Sequence, residues 1–240
     1  MLPRICILLN DLDEFNFGKL LNRYLPKHMF EVQMLSSFPD NPSLFELIVP
    51  WNYQRIIKNA EAYGNIVVIH SSELPEGRGC APIYYTFSEE RVEYVMSVIL
   101  AANEVDAGNV IMRARFNLEA EYTAPYIREL DNELSMVLIA KIMNQWPDGD
   151  FTAVRQTGRG SYHARRYPCD NEVDLTKTLG AILPHLRGVE QSSPAFFVYK
   201  GIKYIIEIRP ELTPDKPMQV IFEYPALNKT EVWTRWNDTP

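Results

Sequence analysis

A histidine at the end of an apolar run and an aspartate in a small-residue turn are the side chains here best placed for proton transfer. His70 closes "IVVIH" (66–70) and stands directly before the loop "SSELPEGRGCAP", while Asp106 sits in "NEVDAG" (103–108), flanked by Ala107 and Gly108. An imidazole can give or take a proton near neutral pH, and a carboxylate beside it can orient the ring and stabilise its charged form. On spacing alone both residues also have plain structural readings, the histidine as a strand-end packing residue and the aspartate as a turn former. Arg78, between Gly77 and Gly79, could reach a phosphate or carboxylate or simply be solvated; Arg165 and Arg166 pose the same choice, and one of them is expected to serve structure. Small residues beside a candidate site let a ligand or another backbone approach closely.

These side chains need a frame. "RICILL" (4–9), "FEVQML" (30–35), "LFELIV" (44–49) and "IVVIH" (66–70) read as strands; "FNFGKLLNRYL" (15–25) and "NYQRIIKNAEAY" (52–63) read as helices closed by Pro26 and Gly64. Near-continuously apolar strands alternating with helices predict an α/β, Rossmann-like, mostly parallel sheet covered on both faces. In such sheets ligands gather at the carboxyl ends of the strands, which is where His70 lies. "YVMSVILAA" (94–102) and "NVIMRARFNL" (109–118) are expected to form a hairpin around the Asp106 turn. Residues 124–146 carry a long helical pattern with Ile127, Leu130, Leu134, Val137, Leu138 and Ile142 on one face. A polar Gly/Arg loop (156–174) and a helix interrupted at Pro184 (175–188) follow. "AFFVY" (195–199), "KYIIEI" (203–208) and "QVIFEY" (219–224) form a small antiparallel C-terminal appendage, with a soft boundary near residue 190 separating a core (1–190) from an extension (191–240). Trp233 and Trp236 suggest a packed or dimer-buried terminus.

Composition narrows the partners. With 46% hydrophobic and 23% charged residues the chain is expected to be an ordinary folded protein. The net charge of −7 disfavours binding nucleic acid through a broad basic field, yet permits a small anionic ligand held by one or two arginines. Cys6, Cys80 and Cys169 lack metal-ligand spacing, so neither a zinc site nor a disulfide framework is expected. No run reaches the length needed to cross a bilayer and no secretory pattern opens the sequence, so a cytoplasmic protein is expected. His28 and His185 read as structural or surface residues; His163, in the Gly/Arg loop, could touch a ligand.

"IHSSELPEGRGCAP" followed by "NEVDAGNV" resembles the 10-formyltetrahydrofolate-dependent formyltransferase superfamily, whose pattern is an H-x-S-x-L-P-x-x-R-G loop and a later D-x-G turn. "RRYPCD" (165–170) and "LRGVEQSSPAFFVYKGIKYII" (186–206) resemble further segments of its nucleotide-sugar N-formyltransferases, so the likeness runs in order over roughly residues 44 to 208. It implies formyl transfer from 10-formyltetrahydrofolate to the amine of a dTDP-, UDP- or GDP-linked dideoxy-amino sugar destined for surface polysaccharide, by a homodimer that engages neither nucleic acid nor membrane. His70 and Asp106 become the catalytic pair. Trp51 and Tyr53 become pterin-stacking candidates, with Glu104 and Asp106 also on the cofactor and Arg78, Gly79 and Arg165 on the substrate. No metal is needed. The chain departs from the family at two motif residues, and its region before residue 44 looks shorter than is usual for the family. An asparagine is expected two residues before the histidine, where Val68 stands, and Asn65 is at odd spacing from His70, on the opposite strand face. Cys80 replaces the subgroup's tryptophan. The alternatives are a formyltransferase for another amine, such as methionyl-tRNA, or a folate or nucleotide-sugar binding module that has lost catalysis.

Overall fold

A computed structural model describes residues 2–11, 18–51, 53, 55–211 and 217–235. The N-terminal half forms as its strand patterns require. Strands β1 (Arg4–Leu8), β2 (Glu31–Leu35) and β3 (Leu47–Pro50) pair in parallel in the order β2-β1-β3, with helix α1 (Gly18–Tyr24) crossing between the first two. Strand β4 (Val67–His70) continues this layer through a parallel bridge between Ile48 and Ile66. Ile5, Ile7, Leu47, Val49 and Val67 are fully buried, as near-continuous apolar strands between two covering layers must be.

The later strands run antiparallel. After the short strand β5 (Arg78–Gly79) and helix α2 (Pro82–Ser88), strands β6 (Glu93–Leu100) and β7 (Val110–Asn117) form the expected hairpin, and β4 pairs antiparallel to β6. Helix α3 (Ala124–Gln145) buries Ile127, Leu130, Leu134, Leu138 and Ile142 against the core, and it also buries Asp131, Glu133 and Ser135. Strand β8 (Tyr162–His163) lies in the Gly/Arg loop, and helix α4 (Leu179–Gly188) contains Pro184. Strands β9 (Ala195–Tyr199) and β10 (Ile202–Ile206) make a separate hairpin.

Strands β11 (Met218–Tyr224) and β12 (Lys229–Arg235) are antiparallel, as expected of the C-terminal segment, and β11 pairs with β7, giving the order β12-β11-β7-β6-β4. The ladder therefore crosses the soft boundary near residue 190. Trp233 packs against the main core, whereas Trp236 lies outside the described residues.

The helix expected over 52–63 does not form in the residues described there. They make one tight turn, Ala60–Ala62, entered from Asn59 in the left-handed region (φ 53°), which breaks any right-handed run. Ile56 is 91% exposed, whereas Tyr53, Ile57 and Ala60 pack on the cluster of Cys6, Leu8, Phe45, Ile48 and Ile66 without a helix to carry them. Helix α2 was missed from the sequence, although Pro82 in its first turn and the buried Ile83/Phe87 pair at i,i+4 spacing mark it.

Candidate active site

His70 ends β4 and is 8% exposed. Val68 and His70 share one strand face, while Val67 and Ile69 on the other pack into the main core. The His70 Nε2–H donates to the Gly77 carbonyl at 2.8 Å, and Nδ1 lies 3.6 Å from Asp106 Oδ2, too long for a hydrogen bond but close enough for charge attraction. Each ring nitrogen thus faces an acceptor. The expected pair is brought together.

Asp106 is held by the backbone around it. It occupies the left-handed region (φ 53°), its Oδ2 accepts the Gly79 N–H at 2.8 Å, and its carbonyl accepts the Gln156 side-chain amide at 2.8 Å. The same Gln156 amide donates to the Gly108 carbonyl at 2.7 Å, and its Oε1 accepts Arg78 Nη2 at 2.7 Å. Gln156 links three parts of the site and was not found in the sequence, where it was one residue of a polar loop.

That loop braces the histidine loop. Strand β5 pairs in parallel with β8, Ser161 Oγ accepts the Gly77 N–H at 2.8 Å, and the Ser161 carbonyl accepts the Arg78 N–H at 3.1 Å. The glycines make room for this contact. A Cβ on Gly79 (φ 99°) would sit 2.5 Å from the His163 carbonyl oxygen, and one on Gly77 (φ 70°) 3.0 Å from the His163 ring. His163 itself stacks on Tyr85 at 4.0 Å and pairs with Glu89 at 2.8 Å.

Two cavities meet at His70. One, of about 750 Å³, is lined by Asn10, Trp51, Ser71, Arg128, Asp131 and Asn132. The other, of about 740 Å³, is lined by Tyr53, Ile57, Val68, Glu104, Asp106 and Arg165. Pro50, Ile69, His70, Gly79, Cys80 and Ala81 wall both. Trp51 and Tyr53, expected to act together on a pterin, therefore line different cavities. Asp106 borders only the Tyr53 cavity.

The remaining candidates separate by their partners. Arg78 is bound to Gln156, with Glu104 at 3.7 Å, so its charge is already engaged. Arg165 is exposed at the cavity wall. Arg166 also lines the Tyr53 cavity, but it is engaged within the fold: it lies 3.3 Å over the Tyr84 ring and donates to Asn171 Oδ1 at 2.6 Å. His185 accepts or donates at Tyr84 at 2.9 Å, and burial pulls its pKa below the ordinary histidine value. Val68 packs against the cluster of Leu74, Ile99 and Val110. Asn65 gives its amide to the Pro42 and Phe45 carbonyls at 3.0 and 2.7 Å and cannot also hold a ligand at His70.

No family model matches the chain. Over 161 residues, covering 65% of this chain, it is 27% identical to methionyl-tRNA formyltransferases of Bacillus thuringiensis (strain Al Hakam) and Bacillus cereus (strain B4264). The match covers 51% of each relative, so the chain spans about half the length of the curated relatives it matches. Among solved structures, a methionyl-tRNA formyltransferase from Clostridium thermocellum superposes with a TM-score of 0.68 at 17% identity, covering 99% of this chain and 100% of that one. A 4-N formyltransferase from Francisella tularensis gives 0.70 at 14% identity over 88% and 99%. The formyltransferase PseJ from Anoxybacillus kamchatkensis, solved with UDP-4,6-dideoxy-4-formamido-L-AltNAc and tetrahydrofolate, gives 0.54 at 20% identity over 67% and 85%. The fold is that of the formyltransferases, and the resemblance read from the sequence stands.

Proposed function

We propose that this chain, built on the formyltransferase fold, is an N-formyltransferase that moves a formyl group from 10-formyltetrahydrofolate to the amine of a nucleotide-linked dideoxy-amino sugar. The observation that carries this reading is the His70–Asp106 pair, 3.6 Å apart, where the two cavities join. Two substrates that must react with each other need two compartments and a shared wall carrying the proton-transfer group.

The Tyr53 cavity fits the folate. Tyr53, Ile57, Ile66, Val68 and Ile99 offer flat and apolar surface for a heterocycle, and Arg55 and Arg165 suit its anionic tail. When bound, the folate supplies an activated one-carbon group for attack by an amine. The chain's own residues then have defined tasks. His70 provides a proton donor where charge develops on oxygen, for which its Nε2–H must leave the Gly77 carbonyl for the ligand. Asp106, fixed by Gly79 and Gln156, sets a carboxylate oxygen 3.6 Å from the other ring nitrogen and helps to orient the ring. Loss of one such preorganised donor costs on the order of 3 kcal/mol in transition-state stabilisation.

Methionyl-tRNA is the second reading, favoured by the relatives of matching sequence. The net charge of −7 opposes it, since tRNA binding depends on basic surface. A homodimer acting in the cytoplasm on precursors of surface polysaccharide completes the proposal. The half-exposed Val198, Tyr199, Ile202 and Ile205 of the β9–β10 hairpin supply apolar surface for self-association. No described helix is long and apolar enough to cross a membrane.

The test is turnover of 10-formyltetrahydrofolate with dTDP-, UDP- and GDP-linked amino sugars and with methionyl-tRNA as acceptors. Formylation of a sugar, lost by a factor of about 100 or more in His70→Ala and Asp106→Asn, supports the proposal. Wild-type rates in either variant would refute the mechanism. Binding of both ligands without turnover would identify a module that has lost catalysis.

A further inference from the structure

Asp106 borders the Tyr53 cavity alone, so it does not line the space from which an acceptor would approach. The wall of that second cavity carries a carboxylate of its own. Asp131, on α3, lines it together with His70 and Ser71, and is only 9% exposed. One of its oxygens, Oδ1, takes both the Ser71 hydroxyl, in a very short contact, and the Tyr94 hydroxyl at 2.6 Å. Tyr94 is fully buried on β6, and burial raises its pKa well above the ordinary phenol value, so the phenol keeps its proton and donates. Arg128, one turn earlier on the same helix, is drawn to Glu190 through bonds of 3.2 and 2.9 Å. The carboxylate is thus fixed through one oxygen by two neutral donors.

A buried carboxylate needs more than one donor to offset its desolvation, and a helix facing only a core would place an apolar residue at this position. Leu130 and Leu134 on α3 do face the core, whereas Arg128, Asp131, Asn132 and Ser135 face the cavity. Resting on the formyl-transfer reading above, we propose that Asp131 binds the acceptor substrate. Its Oδ2 takes a hydrogen bond from the amine, or from an adjacent hydroxyl of the amine-bearing ring, beside His70. Ser71 and Tyr94 hold the carboxylate so that this second oxygen is presented to the cavity. At the Asp131 oxygen the chemistry selects a donor-bearing or cation-forming group of the acceptor and disfavours a phosphate in direct contact, while Arg128, paired with Glu190, lies on the same wall. A nucleotide-linked acceptor therefore enters with its amino ring inward and its diphosphate outward.

The experiment measures KM for both substrates in the wild type, Asp131→Asn and Ser71→Ala, with the acceptor that the wild type formylates best from the panel above. KM is independent of the fraction of folded protein, and folded sites are counted by tetrahydrofolate binding. The expected result is a rise of about tenfold or more in acceptor KM for Asp131→Asn, with folate KM unchanged within twofold. Ser71→Ala, which leaves the Tyr94 bond in place, should raise acceptor KM by about threefold and decides the matter if Asp131→Asn does not fold. Unchanged acceptor KM in a folded variant, or an equal rise for both substrates, overturns the assignment while formyl transfer stands. A wild type that formylates no acceptor overturns the formyl-transfer reading and this assignment with it.

Discussion

Replacing Gln156 by alanine isolates the device that holds Asp106, the aspartate of the proposed catalytic pair, without touching either side chain of that pair. The substitution removes three hydrogen bonds, of 2.8, 2.7 and 2.7 Å, to the Asp106 carbonyl, the Gly108 carbonyl and Arg78. At about 0.5–1.5 kcal/mol net for each, the loss would reach roughly 4 kcal/mol if no water entered. Gln156 is half-buried, so water replaces part of this and about 2 kcal/mol is the expected destabilisation, read as a lower urea midpoint at constant slope. The catalytic effect should exceed the stability effect. Asp106 sits at φ 53°, a backbone state that costs about 1 kcal/mol or more for a non-glycine residue and persists only while its surroundings enforce it. A displacement of about 1 Å from the His70 ring would lower kcat roughly 10- to 100-fold. Steady-state formylation at saturating substrates, normalised to folded sites, reads this. Gln156→Glu should be worse, because a carboxylate would face the two carbonyls that the amide now serves. A Gln156→Ala enzyme with kcat within twofold of wild type and an unchanged urea midpoint would refute this account of how Asp106 is positioned.

The two cavities make separable predictions. Tyr53→Ala should weaken tetrahydrofolate binding by about tenfold, the scale of one lost aromatic contact, and leave acceptor KM unchanged, whereas Trp51→Ala should raise acceptor KM and spare folate binding; titration calorimetry with each ligand distinguishes them. Val68→Asn places an amide on the face of His70, where it should raise kcat by up to about tenfold while costing about 1–3 kcal/mol of stability by intruding on Leu74, Ile99 and Val110. An unchanged rate in the folded variant would show that the formyl oxygen lies elsewhere. Lys141 and then Lys229 hold Glu231 down to about 2 from the ordinary glutamate range, through bonds of 2.5 and 2.7 Å. Because the folded-state pKa is lowered, the stabilisation is present above the unfolded value of about 4.3 and disappears as pH falls from there toward 2. With Glu231 partly exposed, the effect should be at most about 1 kcal/mol, and Lys141→Met should reduce the loss of urea stability between pH 5 and 3.

Much of the scaffold was legible because its signals are local. β1 to β4 and the β6–β7 hairpin follow from short apolar runs and turn chemistry, and α3 from its periodicity. The pairing of β11 with β7 was not legible, since alternation in 219–224 marks a strand but not its neighbour. The helix expected over 52–63 was read from spacing alone, with nothing to show that Ile56 would face solvent. Among site residues, His70 and Asp106 were visible by type and position. Gln156, Ser71, Tyr94 and Asp131 were not, because each acts across a long sequence separation. Asp131 was further concealed within a helix read for its apolar face.

The position of Val68 gives these observations a consequence for catalysis. An amide there would have lain on the strand face of His70; the valine instead closes an apolar cluster beneath the Tyr53 cavity. Charge developing on a formyl oxygen above that surface would find His70 as its strong side-chain donor, and His70 in turn depends on Asp106, Gly79 and Gln156 for its setting. A site with two independent donors tolerates a displaced histidine, since the second retains part of the stabilisation. A site with one does not, so substitutions around His70 should be unusually damaging. Val68→Asn then becomes more than a gain-of-rate variant. In its background, Gln156→Ala should cost less in kcat than it does beside the native valine, and that difference, taken as a double-mutant cycle, measures how far catalysis rests on His70 alone.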